Sequence, residues 1–191
     1  MPDRQPMTDA DIESMVVAGA SLRHDGAIEL ADYDPRWPRL FEGEAARIRQ
    51  ALAGEVRLLE HVGSTSVPGL SAKPRIDIVM AVRNSADEST YVPQLEAAGY
   101  PLRIREPDWH EHRVFKGPDT DVNLHVFSAG SPEIDRMLLF RDWLRTHDDD
   151  RERYEAAKRE LATRTWAYVQ NYADAKTDVV EEIIARATAG D

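Results

Sequence analysis

The sequence predicts an α+β fold, α/β-like in its alternation: a small mixed β-sheet flanked by helices, then a helical C-terminal third. Three observations predict it. Residues 75–82 alternate as a strand, with Ile76, Ile78, Met80 and Val82 on one face and Asp77, Val79 and Ala81 on the other. A long loop rich in Gly, Ser and Pro, residues 63–74, joins this strand to a shorter one before it. Beyond Ser131-Pro132, a cap followed by a first-turn proline, the apolar spacing becomes helical and stays so. At 191 residues the chain suits one domain, or one domain with an appended element.

Taken in order, residues 1–27 are polar, with one short amphipathic stretch from Asp9 to Val17. They read as a loosely docked N-terminal extension to a domain spanning 28–191. Asp34-Pro35-Arg36-Trp37-Pro38 forms a turn into a helix over 36–53, where Leu40, Ala45, Ile48 and Leu52 recur at helical spacing. Residues 55–62 form a short strand. A helix over 86–98 ends at Gly99, a common residue just past a helix end. Residues 101–105 and 112–116 are weaker strands. Residues 121–127 form a clear strand, with Val122, Leu124 and Val126 on one face and Asn123, His125 and Phe127 on the other. Helices are expected over 132–146, 150–170 and 174–188, the last with the apolar stripe Val179, Val180, Ile183, Ile184 and Ala187.

Composition excludes several function classes. The absence of cysteine removes disulfide scaffolds, thiolate metal sites and cysteine nucleophiles. No apolar run approaches the roughly 18 residues of a membrane span, and the N-terminus has no signal-peptide core. A cytoplasmic location is the expectation. The net charge is −11, and no third of the chain is basic, so partners with extended negative charge, nucleic acid or membrane, are not expected. A local anion site remains open at 73–83, where Lys73, Arg75 and Arg83 surround one acid.

Four stretches carry chemistry. Gly63-Ser64-Thr65-Ser66-Val67-Pro68-Gly69 combines permissive glycines, hydroxyls and backbone N–H groups in a pattern that suits phosphate. It lacks the G-K-[ST] of a P-loop, and a plain solvated loop is the alternative. Asp77 lies in an apolar strand and needs a cation, a ligand or an ion pair with Lys73, Arg75 or Arg113. His110 and His112 form a weak His-x-His metal signal; His125 shares strand parity with Asn123 and can meet Asp77 across one sheet face. Arg141 and Lys176 can reach an anion but read more simply as solvated helix charges. The run Asp148-Asp149-Asp150 suits a helix N-terminus, not a calcium loop.

Together these stretches resemble the GrpB family. The resembling segments run in order from about residue 28 to 187, and the most specific are LLEHVGSTSVPGLSAKPRIDIVMAV and VNLHVFSAGSPEIDRMLLFRDWLR. That family is similar to the nucleotidyltransferase fold and to a module appended to some bacterial dephospho-CoA kinases. The resemblance implies a site at the Gly-Ser loop and the acidic strand after it. Gly63, Ser64, Thr65 and Ser66 would cradle phosphate, with His61 and Asn123 beside them and Lys73, Arg113 and Lys116 neutralising the charge. Asp77 would hold one Mg²⁺ or Mn²⁺ ion or orient a nucleophile, and His125 would act as ligand or general base.

Active nucleotidyltransferases carry an acidic pair one residue apart and a third carboxylate on a later strand. Here Val79 stands in the second position, and Asn123 or His125 in the third. Glu60 is the nearest substitute. The implied function is binding of a nucleotide or another phosphate-bearing small molecule, with metal-dependent nucleotidyl transfer as the reaction if there is one. Two alternatives stay open: a non-catalytic nucleotide-binding or folding and assembly module, and a metal-dependent hydrolase using Asp77, His125 and His112.

Overall fold

The computed structural model describes residues 6–190. Its central sheet has five strands in the order β2 (Leu58–Val62), β3 (Ile76–Val82), β6 (Val122–Ser128), β5 (His112–Lys116) and β4 (Leu102–Glu106). The pair β3–β6 is parallel and the other neighbours are antiparallel, so the sheet is mixed, as expected.

Strand parity then assigns the two faces. Ile76, Ile78 and Met80 of β3 and Leu124 and Val126 of β6 point into the main core, against α2 (Trp37–Leu52) and α3 (Val92–Ala97). Helix α2 buries Trp37, Ala45, Ile48 and Leu52 at helical spacing, with Phe41 half-buried beside them. Leu40, expected on this face, is exposed because the stripe runs through Trp37 and Phe41. Helix α3 is shorter than expected: a 3-10 turn, Glu88–Thr90, precedes it, and Pro93 marks its first turn.

The opposite face is divided. At one end Val62, Val79, Ala81 and Phe127 pack under Ile134 of α4 (Pro132–Thr146). At the other end Asp77, Asn123 and Lys116 line up side by side, because the register pairs Asp77 with Asn123 and Asn123 with Lys116. That end is not packed by an apolar cluster and becomes a cleft, with Glu133, Arg136, Met137 and Phe140 of α4 along one side.

The C-terminal third departs from the expectation at one point. Helix α5 (Asp148–Ala162) stops, and residues Thr165–Tyr168 form strand β7 before α6 (Val169–Asp174) and α7 (Thr177–Ala189). Thr165-Trp166-Ala167-Tyr168 has β-favouring residues, and it pairs antiparallel with β1 (Arg23–Ala27). A helical reading through 170 misses this because the partner strand is about 140 positions away.

The same pairing changes the reading of the N-terminal segment as loosely docked. Helix α1 (Asp9–Met15) is closed by a capping box between Thr8 and Asp11, and its Ile12 is only 1% exposed. The Val17 N–H donates to the Arg103 carbonyl at 2.9 Å, and the Tyr168 hydroxyl donates to Glu13. One buried isoleucine contributes about 1.5–3 kcal/mol, alongside these hydrogen bonds and the pairing of β1 with β7. Among the described residues, no helix is long and apolar enough to cross a membrane.

Candidate functional site: a cationic cleft over Asp77 and His125

Asp77 anchors the site. Its Oδ1 accepts a hydrogen bond from Asn123 Nδ2 at 2.9 Å, and His125 Nε2 lies 3.8 Å from the same oxygen. Asn123 Oδ1 accepts from Lys116 Nζ at 2.6 Å, which fixes the amide between an anion and a cation. Burial alone would raise the Asp77 carboxyl, but His125, Arg75 and Asn123 outweigh it and hold it below the ordinary carboxylate range.

The loop comes close to this carboxylate. Gly63 has φ +69°, and a Cβ built on it would stand 2.6 Å from Asp77 Oδ2. Only glycine satisfies both the left-handed backbone and this approach. The hydroxyls behind it divide their roles. Thr65 Oγ1 donates to the Arg75 carbonyl at 3.0 Å and accepts from His61 Nε2 at 3.0 Å. Ser66 Oγ donates to the Gly63 carbonyl at 2.5 Å. Both brace the loop against the strand, and Ser64 is left facing the cleft with Gly63.

A second chain of contacts runs from His125 to the sheet edge. His125 Nδ1 and His112 Nε2 are 3.0 Å apart, and His112 Nδ1 lies 2.7 Å from Glu106 Oε2. A carboxylate accepts only, so His112 donates from Nδ1. In neutral His112 the Nε2 then accepts from His125 Nδ1–H. A neutral His125 therefore presents a bare Nε2 to the cleft beside Asp77, the arrangement of a general base held by a hydrogen-bonded partner.

The cleft over Asp77 encloses about 330 Å³. Lys73, Arg75, Arg136, Lys158 and Lys176 line it, so five basic side chains converge inside an acidic protein. Several are partly committed: Arg75 to Asp121 at 2.8 Å, and Arg136 to Glu133 at 3.2 Å and Glu181 at 2.5 Å. Lys176 sits 4.4 Å from the Tyr172 ring centre. Lys158 is 2% exposed and donates to the Ser71 carbonyl. Burial, with the charge of Lys176 adding to it, pushes the Lys158 ammonium down to about 7. Burial and then Arg75 push Lys116 down to about 8, and burial lowers Lys73 as well. An anion in the cleft would offset the burial penalty on these ammonium groups.

The residues singled out in the sequence thus separate. Gly63, Ser64, Thr65, Lys73, Asp77, Asn123 and His125 line one cavity, and Lys116 lines its continuation. Five do not join them. His61 has the opposite parity; it stacks on Phe41 at 5.0 Å between ring centres, and burial pushes it down to about 4. Arg113 also has the opposite parity and donates to Glu88 Oε1 at 2.6 Å. Ser66 is a buried brace. His110 precedes β5 in a left-handed turn with φ +51°, so it does not share a strand with His112. Arg141 reaches Glu60, Asp142 and the His61 carbonyl instead of the cleft.

Sequence reasoning passed over Lys158, and its signal was present. Tyr154, Lys158 and Leu161 fall at helical spacing on the buried stripe of α5, so a lysine occupies a core position.

The donor set does not fit a two-metal centre. Position 79, where a second acid would stand, holds a valine that is 0% exposed and packed with Val62, Ala81, Phe127 and Ile134. The third-strand positions opposite Asp77 and Val79 are Asn123 and His125. Among the described residues no group of three His, Asp or Glu side chains is placed to hold a metal ion. The hydrogen-bond partners of Asp77 and Asn123 are an amide and an ammonium, and these oppose a bound cation.

Comparison with known proteins gives the family. A family model described as GrpB protein matches residues 27–186. A UPF0157 protein of Halalkalibacterium halodurans is 60% identical over 184 residues, spanning 96% of this chain and 94% of that protein. A dephospho-CoA kinase of Mycolicibacterium paratuberculosis is 29% identical over 186 residues, covering 84% of this chain but only 46% of the kinase. The crystal structure of GrpB from Enterococcus faecalis superposes with a TM-score of 0.73 at 30% identity, covering 85% of this chain and 98% of that one. The chain belongs to the GrpB family.

Proposed function

We propose that this chain binds a nucleotide or another phosphate-bearing small molecule in the cleft over Asp77. One observation carries the reading: Lys73, Arg75, Arg136, Lys158 and Lys176 converge on a glycine-serine turn in a protein of net charge −11. Burial opposes the charge of Lys73 and Lys158, and a bound anion would offset that penalty. Gly63 and Ser64 would hold phosphate oxygens through backbone N–H and hydroxyl, and the lysines would supply charge.

If the bound molecule reacts, His125 takes the proton. Its Nε2 faces the cleft, and His112 and Glu106 fix its tautomer. Asp77 stabilises the imidazolium that forms, and the lysine cluster stabilises charge on the transferred group. Nucleotidyl or phosphoryl transfer is the reaction class this arrangement serves.

A second reading, binding without turnover, is favoured by Val79, whose packing removes the carboxylate that metal-assisted transfer requires.

A thermal-shift screen of nucleotides and coenzyme precursors, with and without Mg²⁺ or Mn²⁺, tests the proposal. A ligand at 100 times its Kd adds about 2.7 kcal/mol of stability. Stabilisation by a phosphate compound that disappears in Lys73→Ala supports the site. No response to any phosphate compound would remove it, and binding with no product in a radiolabel assay would select the second reading.

A further inference from the structure

The cleft does not end at the lysine cluster. Lys73, Arg75, Asn123 and His125 line it and also line an adjoining chamber of about 290 Å³. This second chamber is cationic as well. Arg23 of β1, Arg103 of β4 and Lys116 of β5 join Lys73 and Arg75 in its lining. Among the described residues its one acid is Glu106, and that carboxylate already accepts from His112 Nδ1 at 2.7 Å.

Three of these five cations have neighbours. Arg23 meets Asp25 at 2.7 Å, Arg75 meets Asp121 at 2.8 Å, and Lys116 donates to Asn123 at 2.6 Å. Asp25 and Asp121 are not part of the lining. The side chains of Lys73 and Arg103 make no hydrogen bond and no ion pair with a described residue. The N-terminal segment helps to build this arrangement. Arg23 lies ahead of residue 27, where the family match begins, and the Val17 N–H ties the same segment to the Arg103 carbonyl.

An uncharged group seated here would strip water from the unpaired ammonium and guanidinium without replacing it. An anion replaces that water with charge-assisted hydrogen bonds, and a guanidinium fits phosphate oxygens two at a time. We infer that the second chamber is a second anion subsite, and that the ligand of this cleft carries two separated phosphate groups, one at Gly63 and Lys176, the other at Arg103 and Arg23, with Lys73 serving both. This rests on the phosphate-binding reading above. Asn123 and His125, which line both chambers, would face the uncharged link between the two phosphates. Each chamber is close to the roughly 300 Å³ lower end of small-molecule sites, and a ligand spanning both falls inside the usual range.

Calorimetry on the full chain tests this with three bisphosphates, each against its own monophosphate: fructose 1,6-bisphosphate, ribulose 1,5-bisphosphate and adenosine 3′,5′-bisphosphate. At least one bisphosphate should bind one to one and about tenfold or more tightly than its monophosphate. Arg103→Gln should remove most of that advantage, and Arg23→Gln repeats the test if the first variant fails to fold. Lys176→Gln, in the first chamber alone, should weaken monophosphates and bisphosphates alike. Arg39→Gln, exposed on α2, changes the net charge equally and should leave the advantage intact. Bisphosphates that bind no more tightly than monophosphates would overturn the second subsite while leaving the phosphate site standing. So would an advantage that survives both Arg103→Gln and Arg23→Gln, or one that Arg39→Gln also abolishes. Failure of every phosphate compound to bind would overturn both.

Discussion

The carboxylate of Asp77 lies so close to the Gly63 backbone that a single added carbon there would stand 2.6 Å from its Oδ2. The loop and the acidic strand are therefore one unit, and the backbone at Gly63 is left-handed, with φ +69°. Gly63→Ala should lose at least about 1–2 kcal/mol from the backbone term alone, with more from displacement of Asp77. Urea unfolding measures the loss. Wild-type stability in the variant would mean the loop moves freely relative to β3.

Val79→Asp should not create a metal centre. The side chain points into a cluster with Val62, Ala81, Phe127 and Ile134, where an uncompensated carboxylate costs about 3–5 kcal/mol. Denaturation and Mn²⁺ titration on the same sample decide it. A stable variant that binds Mn²⁺ tightly would restore the two-metal reading.

Lys158 should make stability depend on pH. Its ammonium falls from 10.5 in the unfolded chain to about 7 in the fold, so between these values the unfolded state holds more protons. The Lys158 contribution therefore grows as pH rises from about 7 to 10.5 and is flat below about 7. Lys158→Met should remove this slope from the pH profile of unfolding. If a phosphate ligand restores the charge, binding near pH 8 should take up protons. Calorimetry in buffers of different ionisation enthalpy reads that uptake directly.

Lys116 and Arg113 should separate cleanly. Lys116→Ala removes the cation that holds Asn123 beside Asp77 and should weaken phosphate-ligand affinity by about tenfold, the scale of one charge-assisted hydrogen bond. Arg113→Ala, on the far face with Glu88, should lower the melting temperature and leave ligand affinity near wild type. The reverse pattern would place the site on the wrong side of the sheet.

Ile12→Ala should cost about 2–4 kcal/mol, because the side chain is 1% exposed and its removal leaves a cavity. Deleting residues 1–24 should lower the melting temperature clearly for the same reason. A melting curve unchanged by either alteration would return the segment to the status of a loose tail.

The sequence by itself determined much of this protein. Strict alternation in 75–82 and 121–127 was enough to put Asp77 with Val79 and Ala81 on one face of its strand, and Asn123 with His125 and Phe127 on one face of theirs, because side chains on a strand repeat every two residues. The loop residues and the valine at 79 were equally legible, since backbone permissiveness and side-chain chemistry are local properties. What the tertiary structure decided was which faces look at each other. Parity alone gives two sides without saying which side meets the cleft, so Arg113 and His61 could be assigned to the site until the register put them on the other face. Lys158 and Lys176 join Asp77 only because the C-terminal helices fold back over the sheet. The pairing of Arg23–Ala27 with Thr165–Tyr168 joins segments about 140 positions apart. No local propensity encodes that separation; hydrogen bonds between distant strands and the burial of Ile12 settle it.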